Sequence, residues 1–197
     1  MMKPFSEACA ENQYPILAIL RETFSAVGSV LEIGSGTGQH AVHFARHLAH
    51  LTWQTSDLSA NHPGIHAWLD EAALPNIRLP ITLDVNANPW PVEPVEGVFS
   101  ANTLHIVSWP EVAQLFRGVG QVLLPGGVMC VYGPFNYGGE FTSPSNARFD
   151  EWLKARDPAS GVRDFETVCA LALQHGLSLS ADHAMPVNNR ILAFRKD

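Results

Sequence analysis

The sequence predicts an α/β fold on a largely parallel sheet, and three observations predict it. Short apolar runs of strand length alternate with segments of helical periodicity, as in the repeated strand–helix unit of parallel sheets. One such run, Ser29 to Ile33, passes directly into a glycine-rich turn and then into an amphipathic segment. At 197 residues, with 46% hydrophobic and 16% charged residues, the chain can bury one core but not two ordinary ones. Residues 1–197 are therefore expected to form a single domain.

The elements follow in order. Tyr14 to Phe24 carries Ile16, Leu17, Leu20 and Phe24 at helical spacing. Ser29 to Ile33 reads as a buried first strand, and Gln39 to Leu48 as a helix with Ala41, Phe44, Ala45 and Leu48 on one face. Leu51 to Thr55, Ile77 to Leu83 and Gly97 to Ala101 read as strands two to four. Ser108 and Glu111 have capping-box spacing ahead of a helix with Leu115, Phe116, Val119, Val122 and Leu123 on its apolar face. Pro125-Gly126-Gly127 ends that helix and turns into strand five, Val128 to Tyr132. Asp164 caps a further helix that stops at Gly176. Leu177 to Ser180 and Ile191 to Phe194 complete seven strands. Residues 134–163 hold one short helix near Ala147 to Lys154. Irregular stretches of that length tend to be functional, so this one is expected to cover the carboxyl edge of the sheet as a lid.

Composition narrows the function classes. The formal net charge is −7 and Lys and Arg form no run, which argues against a dedicated nucleic-acid binder. The opening Met1 to Cys9 has no signal-peptide core and no stretch is long and apolar enough to span a bilayer, so no membrane partner and a cytoplasmic location are expected. Cys9, Cys130 and Cys169 are odd in number and widely spaced, a pattern of reduced thiols.

The most informative segment is Val30-Leu-Glu-Ile-Gly34-Ser-Gly36-Thr-Gly38-Gln-His40. Its glycines stand at alternate positions between a buried strand and a helix N-terminus, where free amides and a bare backbone let a ligand approach. Dinucleotide loops instead read G-x-G-x-x-G. Asp57 closes strand two 19 positions beyond Gly38, near the offset of an acid that accepts from ribose hydroxyls; the alternative is a loop-capping aspartate. Leu83-Asp84-Val85 ends strand three, and Leu123-Leu-Pro-Gly-Gly127 precedes strand five.

In this order these motifs resemble class I S-adenosylmethionine-dependent methyltransferases. The resemblance implies a Rossmann-like seven-stranded sheet of order 3-2-1-4-5-7-6 with the last strand antiparallel. It also implies S-adenosylmethionine as cofactor, with S-adenosylhomocysteine as product. On that reading Glu32, Gly34, Ser35, Gly36, Gly38, Asp57, Leu58, Asp84, Val85 and Asn102 contact the cofactor, Asp84 and the Val85 amide at the adenine. Further segments resemble a little-characterised methyltransferase-like family across nearly the whole chain: Ser35-Gly-Thr-Gly-Gln-His40, Asn102-Thr-Leu-His-Ile106, Tyr132-Gly-Pro-Phe135, Thr142 to Asn146 and Met185-Pro-Val-Asn-Asn189. That pattern has an arginine before Asn12, where this chain has Glu11. The resemblance identifies no acceptor.

Methyl transfer from a sulfonium needs an acceptor held in line and water excluded, and a base only when the nucleophile arrives protonated. His105 and Tyr132, in the loops after strands four and five, are the catalytic candidates, His105 as base because an unperturbed imidazole titrates near neutrality. The alternative for His105 is a bond to a backbone carbonyl that shapes the loop. Asn136, Tyr137, Asn146, Asp150, Arg163, Asn188 and Asn189 are candidates for an acceptor pocket; Asp150, Arg163 and Asp164 have equal claims as architecture. His40, His43, His47 and His50 share one helical side and read as a solvated stripe, so no metal is expected; the five tryptophans read as packing residues. The function expected is methyl transfer to a small-molecule acceptor. The rivals are a partner-binding protein that keeps the fold without catalysis, and a nicotinamide-dependent oxidoreductase, disfavoured by the loop spacing.

Overall fold

A computed structural model describes residues 3–197; Met1 and Met2, where the opening segment begins, lie outside the described residues. The strands are β1 (Ser29–Ile33), β2 (Thr52–Asp57), β3 (Ile77–Thr82), β4 (Val95–Ala101), β5 (Leu123–Gly133), β6 (Phe135–Asn136), β7 (Arg163–Asp164), β8 (Leu177–Met185) and β9 (Asn189–Lys196). The helices are α1 (Glu7–Thr23), α2 (Gln39–His47), α3 (His62–Ala72), α4 (Trp109–Val122), α5 (Pro144–Arg156) and α6 (Phe165–Gln174). Seven strands form one sheet in the order β3-β2-β1-β4-β5-β9-β8. Counted among its own members, that is 3-2-1-4-5-7-6. β1 to β5 pair in parallel and β9 runs antiparallel to both β5 and β8. β6 and β7, which the sequence reading did not separate from the irregular stretch, make a two-stranded parallel ribbon.

Strand alternation divides the core between the two faces of the sheet. Leu31, Ile33, Val98, Met129, Val131, Leu192 and Phe194 pack with α4 and α6. Val30, Trp53, Phe99, Cys130, Ile191 and Ala193 pack with α1 and α2. Both faces are covered, so Val30 to Ile33 of β1 is an apolar run broken only by Glu32.

Local chemistry accounts for most boundaries. Ser108 accepts from the Glu111 amide while the Glu111 carboxylate accepts from the Ser108 amide, so both halves of the capping box form. Asp164 accepts from the Thr167 amide to start α6, and Gly176 at φ 72° ends it. Two helices differ from the sequence reading. α1 starts at Glu7, capped by Ser6, a full two turns earlier than expected, and carries Pro15 within it. A proline lacks the amide that would bond the carbonyl four residues back, so it marks a boundary in sequence even where packing carries the helix through. α3 was unforeseen because only Ile65 and Leu69 are fully buried on it, too thin a stripe to register as periodicity.

Candidate functional site

Two cavities adjoin at the carboxyl edge of the parallel strands, the place where open α/β sheets bind ligands. Ser6, Asn102 and Ile106 line both. The first, about 460 Å³, is bounded by the ends of β1 to β4: Gly34 to Thr37, Asp57 and Leu58, Leu83 to Val85, and Ala101 to Thr103. Cys9, His40 and Glu111 complete its wall.

The glycine loop is held from both sides. The Gly34 and Ser35 amides donate to the Ser56 carbonyl at 3.1 and 3.0 Å. The Gly36 amide donates to Asp57 Oδ2 at 2.7 Å, while Asp57 Oδ1 accepts from the Leu58 amide and Asn61 Nδ2. A carboxylate has about four acceptor positions, so Asp57 keeps one for a ligand while fixing the loop. Gly36 sits at φ 57° and a Cβ there would meet nothing within 4 Å, so the loop leaves open space above its backbone. Gly38 has another role. It precedes α2 at φ 89°, and a Cβ there would lie 3.1 Å from the Ile65 Cα, so its bareness lets α3 pack against α2. It does not line the cavity.

Glu32 does not line it either. Its carboxyl is buried beneath the loop, accepting from Ser35 Oγ at 2.8 Å and Trp53 Nε1 at 3.2 Å. Burial pushes its pKa up to about 7, against the two hydrogen bonds. Glu32 therefore positions the loop from below. Asp84 is exposed, forms a turn by accepting from the Asn86 amide, and lines the cavity with Val85. Asn102, at φ 57°, donates its amide to the Tyr132 carbonyl and joins the ends of β4 and β5.

Charge distinguishes this cavity. Asp57, Asp84 and Glu111 line it, and no Lys or Arg does. The Ser108 hydrogen bonds hold the Glu111 carboxyl below its usual range. His40 brings no compensating charge, because burial lowers its pKa to about 4. Its neutral ring spans Asn12 Oδ1 at 2.7 Å and Cys9 Sγ at 3.9 Å and stacks on Phe44. The histidine side is thus only half solvated. His47 and His50 are exposed, but His40 and His43 are buried under α1, whose early start the sequence reading missed.

The second cavity, about 830 Å³, lies between α1, the β4 and β5 ends, α5 and the turn before β9. Of the catalytic and acceptor-pocket candidates, His105, Tyr132, Asn146 and Asn189 line it. Asn136, Tyr137, Asp150, Arg163 and Asn188 do not. Arg163 donates to the carbonyls of Leu104, Val107 and Ala159, tying the loop after β4 to the end of the irregular stretch. Asp150 accepts from the Val162 amide and pairs with Lys154 at 2.6 Å. Tyr137 donates to Asp182 of β8, which Arg190 of β9 also binds, and stacks on Phe165. Asn136 stands on the β6–β7 ribbon, and Asn188 offers its carbonyl to Asn146 Nδ2. Arg163, Asp150 and Tyr137 are thus engaged within the protein, whereas Asn136 Oδ1 is buried without a hydrogen-bond partner among the described residues.

Sequence reading missed the apolar wall of this chamber: Ile106, Phe149, Trp152 and Val187. Trp152, read from the sequence as a packing residue, is 51% exposed and packs on one face only, against Phe149. The Phe149, Trp152 and Arg156 spacing places all three on one side of α5, a signal available without the structure. Burial raises the Tyr132 phenol above its ordinary value and lowers His105 to about 4, aided by the Arg163 charge. Neutral Tyr132 can donate a hydrogen bond, and neutral His105 keeps a lone pair. Among the described residues no three His, Cys, Asp or Glu side chains gather as a metal site, and no helix is long and apolar enough to cross a membrane.

Comparisons with known proteins place the family and the fold. Residues 3–196 match the family described as a protein of unknown function, DUF938, and the chain belongs to it. An O-methyltransferase family protein from Burkholderia thailandensis superposes with a TM-score of 0.83 at 14% identity, covering 94% of this chain and 56% of its own. The S-adenosylmethionine-dependent methyltransferase SibL gives 0.81 at 21% identity, covering 96% and 55%. Human N-acetylserotonin methyltransferase, solved in complex with S-adenosylmethionine, gives 0.80 at 14%, covering 96% and 53%. The fold is that of the class I methyltransferases, and the chain spans about half the length of these structures.

Proposed function

We propose that this member of the DUF938 family is a methyltransferase that binds S-adenosylmethionine in the smaller cavity and a small-molecule acceptor in the larger. The observation that carries the reading is the charge of the smaller cavity, three carboxylates without a cationic side chain, at the carboxyl ends of β1 to β4. S-adenosylmethionine carries a sulfonium and an ammonium against one carboxylate, a net positive ligand. A nicotinamide dinucleotide would bring a pyrophosphate dianion to the same wall, which Coulomb repulsion disfavours.

The residues suit the group. Asp57 has an acceptor position left that would take a ribose hydroxyl, Asp84 and Val85 would flank the adenine, and open space above Gly36 would admit the remainder. When bound, the cofactor supplies an electrophilic methyl group on a sulfonium that leaves as a neutral thioether. The chain's own residues do the rest. Asn102 stands between the cavities and orients the acceptor, His105 holds the acceptor's proton, and residues 134–163 close the chamber against water as a lid. The likeness to the O-methyltransferase of Burkholderia thailandensis and to human N-acetylserotonin methyltransferase supports this class of reaction.

Calorimetric titration with S-adenosylmethionine, S-adenosylhomocysteine and NADH tests it. The expected result is micromolar binding of both adenosyl ligands and none of NADH. NADH binding without adenosyl binding would move the protein to nicotinamide chemistry. Adenosyl binding without turnover across an acceptor panel would favour a partner-binding role.

A further inference from the structure

We propose that the larger chamber takes a planar aromatic acceptor bearing an uncharged hydroxyl, with the hydroxyl against His105 and the ring against Phe149 and Trp152. Only the methyl-transfer step rests on the reading of the smaller cavity as the cofactor site; the binding stands on the chamber itself.

The inner end is polar and uncharged. His105 is 5% exposed, lines the chamber, and its ring makes no hydrogen bond within the described residues. Its ring nitrogens stay accessible from the chamber and are open to a hydrogen bond from a ligand's X–H group. Asn12, Asn102 and Tyr132 in the same chamber carry no charge, and the nearby Arg163 guanidinium is taken up by three carbonyls. The charged lining residues Glu11, Arg156 and Asp157 are exposed to water, so an ammonium, carboxylate or phosphate against His105 would lack a dedicated counter-ion. An uncharged X–H group fits.

The walls are aromatic. Phe149 and Trp152 stack at 5.8 Å with an interplanar angle of 17°, and His105 meets Phe149 edge-on at 5.2 Å. Around the mouth, Ile106, Trp152 and Val187 are 56%, 51% and 76% exposed, apolar surface that a flat ligand would remove from water. Val187 is also held at φ 58°, ψ 38°, a costly conformation for a β-branched residue, in a turn tied to α5 through Asn146. Strain kept where an apolar side chain meets a cavity is a mark of a built site.

The weak basicity of His105 selects the hydroxyl. A phenol has an ordinary pKa near 10, like tyrosine, and can give up its proton as the new bond forms. An aliphatic alcohol is a far weaker acid. The hydroxyl oxygen bonds the methyl carbon as the carbon–sulfur bond breaks onto sulfur, and its proton passes to His105 and then to solvent.

Equilibrium dialysis of 2-naphthol, 2-naphthoate, 2-decalol and naphthalene, with and without S-adenosylhomocysteine, tests the assignment. 2-Naphthol should bind at least about tenfold tighter than 2-naphthoate or 2-decalol. His105→Phe should remove about tenfold of the 2-naphthol affinity and leave naphthalene unchanged, a result expected of one hydrogen bond. Trp152→Ala, at a half-exposed position, should weaken 2-naphthol and naphthalene alike. A preference for 2-naphthoate or 2-decalol, or full 2-naphthol affinity in both variants, would overturn the proposal. Loss of S-adenosylhomocysteine binding with this preference intact would instead overturn the cofactor reading alone.

Discussion

The two cavities meet at Asn102 and are built by opposite means. The smaller one is made of short strand-end loops, each a local motif in which neighbouring residues do the work: Gly34 to Thr37, Asp57 and Leu58, Leu83 to Val85. The larger one is assembled from α1, α5, the loop after β4 and the turn before β9, elements that meet only in the folded chain. A site of the first kind is written in spacing. A site of the second kind depends on which side of each polar group faces inward, and only packing decides that.

The largest effect that sharpens this contrast is at Asp57, which serves both the loop and the ligand. Asp57→Ala should weaken S-adenosylhomocysteine binding about 100-fold, the range for losing hydrogen bonds to a charged acceptor. Binding of 2-naphthol in the neighbouring chamber should hold. Calorimetry on the variant checks this, and cofactor affinity within twofold of the parent would break the division.

Next is Arg163, expected from the sequence to meet substrate and found bonded to three carbonyls. Arg163→Ala should lower stability by about 2 kcal/mol by leaving those carbonyls unpaired. Cofactor affinity should stay unchanged in the folded fraction. Denaturant melts paired with titration separate the two; a binding defect without a stability loss would return Arg163 to the site.

Glu32 gives a pH signature to the floor of the smaller cavity. Its folded pKa stands near 7 against an ordinary 4.5, so the folded protein holds a proton that the unfolded chain releases between those values. Its contribution is complete below about pH 4.5 and is lost as pH rises to about 7. Glu32→Gln, which stays neutral, should therefore gain melting temperature relative to the parent across that window and hold the gain above it. A gap that is constant with pH would mean that Glu32 is ionised throughout.

The smallest effect belongs to the larger chamber. Val187→Gly should relieve the left-handed strain and raise stability by about 1 kcal/mol, while weakening retention of aromatic probes. A destabilised variant would show that the strain is offset by contacts of the valine itself.

These contrasts explain what the sequence disclosed. β1, the capping box at Ser108 and the Asp164 cap were legible because a residue and its partner lie within four positions of each other. The strand count was legible in the sequence, while the strand order was implied by the methyltransferase resemblance and is the order the sheet has. Within the smaller cavity the line of glycines was legible, but the division of labour was not. Gly38 answers to α3 and Glu32 to Trp53, both long-range neighbours. His40 and His43 read as solvated because the first two turns of α1, whose Cys9 and Asn12 bond His40, precede Pro15 and went unread. Of the polar candidates for the larger chamber, Asp150, Arg163 and Tyr137 are bonded elsewhere in the protein, whereas the apolar, exposed Trp152 and Val187 line it.

Hydrogen exchange with and without S-adenosylhomocysteine tests the central claim most directly, because it reports where the ligand lies. The account predicts slowed exchange at amides 34–38, 57–61 and 83–86, with 176–184 on the far edge unchanged. Protection confined to α5 and the turn at 186–189, or none at the glycine loop in a sample that binds the ligand, would contradict it.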